Sequence, residues 1–324
     1  MRLLVTGGAG YIGSVVTAHL VEAGHQVTVV DDLSRGHADA VAEQAELVVG
    51  DVREVIDAVL DPAGAHGPFD GVLHFAAVSL VGESVQHPRL YWETNVGATL
   101  ALLAAMVRHQ VPRLVFSSTA AVYGEPAETP ITERTRCLPT NPYGASKLAV
   151  DLALADYAAA YGLSVTSLRY FNVAGAYGRF GERHLTETHL VPLVLDAVAG
   201  DRPPLTVYGT DYPTPDGTCV RDYIHVADLA EAHLLALAAL DPERSPGWRA
   251  YNLGNGNGFS VRQVVEAAER VTGRPVPHTL GQRRPGDPAV LVASGASALA
   301  ELGWKPARPA LETMIADAWE FRNR

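Results

Sequence analysis

Cysteine is nearly absent from this chain, with two residues, Cys137 and Cys219, in 324. Two cysteines cannot build a disulfide framework, and such usage fits a reducing cytosol. An excess of positive charge is lacking too. Lys and Arg number 25 against 36 Asp and Glu, a formal net charge of −11, and that field repels nucleic acid and anionic membranes. Long hydrophobic runs are missing; stretches such as "HLLALAAL" fall far short of a membrane span. Met1 leads directly into "RLLVTGG", with no apolar h-region or small-residue cleavage site, so no leader is expected. The twelve histidines show no metal-ligand cluster. "HLTETH" has the wrong spacing for a zinc pair on one helix, so no metal is expected. The remainder is ordinary: 48% hydrophobic and 19% charged residues, in a length that can bury a large core or two domains. These absences predict a soluble cytoplasmic protein without nucleic-acid or membrane partners, whose anionic ligands must be held by local groups.

What is present is alternation. Short β-branched or apolar runs occur at "RLLVT", "QVTVV", "ELVVG", "GVLHF", "RLVFSS" and "SVTSLRY". Between them lie segments of helical spacing: "YIGSVVTAHLVEAG", "VREVIDAVL", "YWETNVGATLALLAAMVRH" and "YGASKLAVDLALADYAAAYG". Repeated strand–helix–strand predicts an α/β fold with a doubly wound parallel sheet buried on both faces. After about Ala174, Pro and Gly become frequent and strands shorten. This predicts a Rossmann-type domain over residues 1–173 and a smaller α/β substrate domain over 174–324. "VRDYIHVADLAEAHLLALAAL" reads as a strand and helix that return to the main sheet, within about 219–255.

Three motifs carry chemistry. In "TGGAGYIGS", Gly7, Gly10 and Gly13 follow the first strand at G-x-x-G-x-x-G spacing. Glycines permit the tight turn and close approach of backbone N–H groups to a pyrophosphate, and the helix near Tyr11 aims its N-terminal dipole at that anion. Strand two ends in "VVDDLSRG", with Asp31 18 residues beyond Gly13. A carboxylate there accepts from both ribose hydroxyls and repels a 2′-phosphate, which favours NAD over NADP. Arg35 is read as a solvated loop cation. "GDV", with Asp51 and Val52, either brackets the adenine or caps a helix. "YGASK" puts Tyr143 and Lys147 on one face of a helix start, 24 residues after Thr119 in "FSSTAAVYG". A tyrosine of ordinary pKa is a poor base at neutral pH; an ammonium and a positively charged nicotinamide nearby would lower that pKa.

Together with "HFAAVSLVGESV", "LRYFNVAGA", "YGTDYPTPDGTCVRDYIHVADLA", "YNLGNGNGFSV" and "RRPGD", these motifs resemble the extended short-chain dehydrogenase/reductase family, and within it the sugar-nucleotide 4-epimerases. The resemblance runs nearly end to end. It implies NAD-dependent reversible epimerisation at C4 of UDP-glucose and UDP-galactose through a 4-keto intermediate, in galactose metabolism. It also implies a homodimer, paired through the helices around Tyr91–His109 and Lys147–Tyr161, the latter with Leu148, Leu152, Ala155 and Ala159 on one face. The catalytic set would be Tyr143, Lys147 and Thr119. Cofactor contacts would fall at Gly7, Gly10, Tyr11, Ile12, Gly13, Asp31, Asp32, Asp51, Val52, Phe75, Ala76, Ala77, Asn95, Ser117, Tyr143, Lys147 and Tyr170. Substrate contacts would fall at Ser118, Thr119, Asn172, His189, Leu190, Val207, Tyr208, Arg221, Tyr223, Arg284, Asp287 and Leu291. Arg221 and Arg284 would hold the substrate pyrophosphate, Asp287 the uridine ribose, and Leu291 would lie beside the C2 substituent.

In related 4,6-dehydratases the hydroxyl is followed by an Asp–Glu pair that eliminates water. Here Ala120 and Ala121 stand in those places, which excludes dehydration. Three departures from the family pattern stand out: Ser79 replaces a lysine near the cofactor pyrophosphate, Thr119 replaces a serine, and His189–Leu190 replaces Asn–Leu at the uridine subsite. UDP-N-acetylhexosamine, UDP-uronate and UDP-pentose remain alternative substrates. A non-catalytic NAD-sensing regulator is the alternative of another class, against which the intact Tyr143 and Lys147 speak.

Overall fold

The computed structural model describes residues 1–284 and 287–324; Pro285 and Gly286, inside the "RRPGD" motif, lie outside the described residues. The first half runs β1 (Arg2–Thr6), α1 (Tyr11–Glu22), β2 (Gln26–Asp31), β3 (Glu46–Val49), α2 (Val52–Leu60) and β4 (Gly71–His74). It continues with α3 (Val81–Gln86), α4 (Pro88–Tyr91), α5 (Ala98–Arg108), β5 (Arg113–Thr119), α6 (Pro142–Tyr161) and β6 (Ser164–Tyr170). The second half holds β7 (Asn172–Ala174), α7 (Leu190–Ala199), β8 (Leu205–Tyr208), β9 (Val220–Arg221), β10 (Tyr223–His225), α8 (Val226–Ala239) and β11 (Gly247–Leu253). Last come β12 (Phe259–Ser260), α9 (Val261–Thr272), β13 (His278–Gly281), β14 (Val290–Leu291), α10 (Ala296–Leu302) and α11 (Leu311–Arg322).

Seven strands form one parallel sheet in the order β11-β6-β5-β4-β1-β2-β3. This is a Rossmann-type α/β fold. The order reverses between β1 and β4, and a doubly wound sheet opens its ligand crevice there, beyond the carboxyl ends of the strands. Leu3, Val5, Leu73 and Val115 point to one face and pack with Val15, Val16 and Leu20 of α1 and Leu229 of α8. Leu4, Val72, Leu114 and Phe116 point to the other and pack with α2, α5 and α6. Strand alternation with both sets apolar explains why these runs read as continuous hydrophobic segments.

A second core forms around α7, α9 and α11, with Val191, Val194, Val264, Met314 and Ile315 buried together. Small sheets border it: β7 with β10, β8 with β13, and β9 between β12 and β14. The return to the main sheet is made by α8, which packs on α1, and by β11, which pairs with β6. The strand expected to join them, β10, instead pairs with β7, because β6 already has β5 and β11 on its two edges.

Pro88–Arg108 is one continuous helical stretch, long and apolar enough by length and composition to match a membrane span. The apolar runs of the sequence predict no span of that length. Its Leu102, Leu103 and Met106 are fully buried against the sheet, the position of a core helix. Its middle, Trp92–Gly97, is π-helical, a local widening often found at functional sites.

Candidate active site

The glycine turn lies at the end of β1. Gly7 has φ +74°, and a Cβ there would sit 2.4 Å from the Ala76 backbone nitrogen. A Cβ on Gly13 would sit 2.1 Å from the Gly7 carbonyl oxygen. The turn therefore closes against the start of α1 and the loop after β4 only with glycine at both places. Gly10 is the N-cap of α1 and offers no side-chain cap, so the first N–H groups at Tyr11 and Ile12 face outward for an anion. Phe75 and Ala76 donate their backbone N–H groups to the Thr6 carbonyl, which places Phe75, Ala76 and Ala77 on the opposite wall of the crevice. This cradle, which an added Cβ would fill, fits the pyrophosphate of NAD.

Asp31 ends β2, buried, with Oδ2 accepting from Ala9 N–H at 3.0 Å and Oδ1 from Leu33 N–H at 2.9 Å. A carboxylate accepts about four hydrogen bonds, so both oxygens retain capacity for ribose hydroxyls. Burial raises its pKa, and the two N–H donors oppose that shift. Arg35 is not the solvated cation expected; it pairs with Glu83 at 2.6 Å, and Glu83 also accepts from Tyr91 Oη at 2.8 Å. Asp32 is exposed and binds Ser34. Asp51 caps α2, accepting from Arg53 N–H at 2.8 Å and pairing with the Arg53 guanidinium. Val52, the first residue of α2, is buried.

Strand alternation sorts the three hydroxyls that end β5. Ser117 hydrogen-bonds Tyr170 Oη. Thr119 faces the same side, accepts from Ala121 N–H at 3.1 Å and opens a short 3₁₀ turn over Ala120–Tyr123. Ser118 points the other way and donates to Asp151 at 3.4 Å, buried, so its side chain is not brought to the face shared by Ser117 and Thr119. The N-terminus of α6 meets that turn closely: a Cβ on Gly144 would lie 2.4 Å from the Ala121 carbonyl oxygen. Asn141 caps α6 through Gly144 N–H at 2.9 Å, with Pro142 in the first turn. The glycine inside "YGASK" thus lets Tyr143 reach Thr119.

Tyr143 packs edge-on to Tyr91, ring centroids 6.2 Å apart. Burial raises its phenol pKa, and a hydrogen bond with Thr119 pulls the other way. Lys147 does not act on that phenol directly. Its Nζ donates to the Ser117 carbonyl at 2.9 Å and lies 4.7 Å from the Phe116 ring centre. Burial lowers the ammonium to about 7, with Asp151 opposing. The expected lowering of the tyrosine by the lysine is therefore not produced by these side chains alone, because both are desolvated. Asn95, on the π segment, ties Val78 N–H and C=O to Ser146 Oγ on α6 at 2.9–3.0 Å; it braces the site from within.

At the substrate end, β9 and β14 align Arg221 with Leu291. Arg221 pairs with Asp287 at 2.6 Å, not with its neighbour Asp222, which accepts instead from Ala293, Asn255 and Gly256 N–H. Arg284 lies over the Tyr208 ring at 4.2 Å. Leu291, half-buried, packs with Val122, Tyr123, Ile131 and Phe171, which places it beside the turn that follows Thr119. Asn172 is paired in register with Tyr223, whose buried phenol pKa is pushed up by desolvation and eased down by Asn172. Val207 is buried in the second core beside Leu190.

His189, expected at the uridine subsite, caps α7 and bonds Glu182 and Glu187 at 3.0 and 2.8 Å. His184 joins the same two carboxylates. Hydrogen bonds to Glu182 and Glu187 raise His184 to about 9; at His189 burial opposes, but the same carboxylates win and raise it to about 10. Helical spacing excludes these histidines as a metal pair, yet their segment precedes the helix. The sequence motifs also miss the pair beneath the site, Arg169–Asp151 at 2.8 Å, both buried, with Arg169 donating to Tyr123 Oη at 3.0 Å. The signal was available: Asp151 lies four residues after Lys147 on the inner face of α6.

The profile of the NAD dependent epimerase/dehydratase family matches residues 3–254. A UDP-glucose 4-epimerase of Corynebacterium glutamicum is 55% identical over 323 residues, covering 100% of this chain and 96% of that protein. A UDP-glucose 4-epimerase of Brucella ovis, solved in complex with NAD, superposes with TM-score 0.93 at 45% identity, over 98% of this chain and 97% of that one. One from Bifidobacterium longum, in complex with NAD+ and UDP, gives TM-score 0.92 at 38% identity, over 100% and 98%.

Proposed function

The chain belongs to the NAD dependent epimerase/dehydratase family, and from that premise we infer that it interconverts UDP-glucose and UDP-galactose by reversible oxidation at C4. It is an NAD-dependent UDP-glucose 4-epimerase in activity, serving galactose metabolism. The observation that carries the reading is the strand-end set: Thr119 near enough to Tyr143 to pull its phenol pKa down, Lys147 one turn along α6, and two alanines next in line. When bound, NAD supplies the acceptor and the donor of the hydride at C4.

The side chains account for the rest. Tyr143 takes and returns the O4 proton, directly or through Thr119, a step that needs one titratable group near the reacting oxygen. Lys147 orients that pair from the Ser117 carbonyl. Ala120 and Ala121 provide no acid–base group, so elimination of water has no partner and the pocket leaves room for the ketose to turn. Arg221 and Arg284 engage the diphosphate, where a guanidinium gives bidentate contact. Asp287 then exchanges Arg221 for the uridine ribose. Leu291, intermediate in size, admits UDP-glucose and UDP-galactose well and the N-acetylated pair weakly.

The protein works as a homodimer in this reading. On α6, Leu152 is 62% exposed, and on the neighbouring helix Trp92 is 44% exposed; the inner face of α6 is buried through Val150, Leu154 and Ala158. Free Cys137 and Cys219 support a cytoplasmic setting. The test is direct. Purified protein given UDP-galactose without added NAD should yield UDP-glucose; unchanged substrate from a preparation shown to contain NAD would refute the reading.

A further inference from the structure

One cluster of ligating side chains takes no part in the chemistry above. Glu182, His184, Glu187 and His189 bring one donor atom each to within 4.8 Å of one another. They lie in the segment between β7 and α7 and at the N-cap of α7. His184 Nδ1 is 2.8 Å from a Glu182 oxygen and 3.6 Å from a Glu187 oxygen. His189 Nδ1 is 3.0 Å from Glu182 and 2.8 Å from Glu187. Both imidazoles thus present the same nitrogen to the same two carboxylates, with ring centres 5.4 Å apart. The carboxylate side chains are only 9% and 10% exposed. We propose that these four side chains form a zinc-binding site that fastens the start of α7 to the segment before it.

Donor chemistry selects the ion. Two imidazole nitrogens and two carboxylate oxygens suit zinc, whereas magnesium and calcium prefer oxygen alone. Size agrees. Ligands about 2.0–2.1 Å from a tetrahedral zinc stand about 3.4 Å from one another. The His–Glu separations here run from 2.8 to 3.6 Å, and one donor atom from each residue lies within 4.8 Å of the others, so modest side-chain rotation brings the four to that spacing. Charge agrees as well. A +2 ion offsets the two shielded carboxylates, which sit 9% and 10% exposed beside the imidazoles. Glu187 is already oriented: Oε1 accepts from Thr188 and His189 N–H, each at 2.7 Å, which leaves Oε2, the oxygen facing His184, for the metal. Such outer bonds typify metal-binding carboxylates.

The location gives the site a purpose. Arg179 and Arg183 tie this segment to Asp39 and Val41 of the first domain, and Tyr11 Oη donates to Gly175 C=O at 2.6 Å. The segment thereby crosses from the cofactor's glycine turn to the second core. A metal at its far end would secure that crossing.

The experiment uses the full chain, stripped with a chelator and titrated with Zn2+ against a chromophoric competitor, with Co2+ absorption reporting geometry. Expected are one zinc per chain, tetrahedral-type cobalt bands, and a higher melting temperature with zinc. His184→Ala and Glu187→Gln should each weaken zinc binding by more than the 10–100-fold typical of losing only an outer-shell partner. His66→Ala, at a histidine paired with Glu46 in another part of the chain, should leave it unchanged. Circular dichroism confirms that each variant is folded; should His184→Ala fail to fold, Glu187→Gln carries the comparison. Fewer than one zinc per folded wild-type chain, or equal affinity in a folded site variant, would show an ion-pair cluster only and overturn the proposal.

Discussion

Tyr143→Phe removes one oxygen and little else. The ring is retained, and with it the edge-on contact with Tyr91 at 6.2 Å and the capped start of α6. The lost group is a buried phenol whose side-chain hydrogen bond is to Thr119. Thr119 keeps the Ala121 N–H at 3.1 Å, so its oxygen is not orphaned. The stability cost should therefore stay near the net worth of one hydrogen bond, about 1 kcal/mol. Catalysis should suffer far more. Thr119 has an alcohol's acidity and cannot substitute as the base, and Lys147 is committed to the Ser117 carbonyl. A positioned acid–base group contributes roughly 10²–10⁴ in rate, which is about 3–6 kcal/mol of barrier at about 1.4 kcal/mol per tenfold. The assay measures conversion of UDP-galactose, bound NAD after denaturation, and a denaturant midpoint on the same preparation. The expected result is a folded, NAD-loaded protein with kcat reduced a hundredfold or more. Turnover within a few-fold of wild type would refute the assignment of Tyr143 as the base, and loss of NAD alongside activity would recast it as a cofactor contact.

Leu291→Tyr should abolish activity on the N-acetylated UDP-hexoses and largely spare UDP-glucose, because the added volume meets only the acetamido group; equal loss of both in parallel assays would contradict this. Leu152→Glu places charge on an exposed apolar position of α6 and should convert a dimer into a monomer in sedimentation at micromolar concentration, whereas a monomeric wild type would remove the dimer proposal. His74 is buried between Thr6 and Thr99 at 2.5 and 2.8 Å, and burial lowers its pKa to about 3. Below pH 6.5 the unfolded chain takes up a proton there that the folded chain refuses, so stability falls as pH falls from 6.5 towards about 3. Denaturant melts at pH 6.5 and 4.5 should show wild type losing up to about 1.4 kcal/mol per pH unit more than His74→Asn; equal slopes would show that His74 does not titrate differently on folding.

Local rules carried the sheet and the cofactor end. β1 to β6 and their helices follow from apolar period and from cap residues such as Asn141 and Asp51, signals contained within a few residues of chain. The glycine turn, Asp31 and "YGASK" were equally legible, because close backbone approach and one helical turn are local geometry. What the sequence could not decide were choices among partners distant along the chain. Only the tertiary structure turned Arg35 to Glu83, paired Arg221 with Asp287 in preference to the adjacent Asp222, sent Ser118 to Asp151, and left β10 to β7 while β11 took the free edge of the main sheet. It also placed Lys147 on the Ser117 carbonyl, where burial, not a neighbouring charge, governs the tyrosine. The histidines show the same division: spacing rules assume a helix, and Glu182, His184, Glu187 and His189 converge through a loop. An ionic or hydrogen-bond partner is selected by desolvation and proximity in three dimensions, and neither is encoded at fixed spacing, whereas hydrophobic period and turn chemistry are.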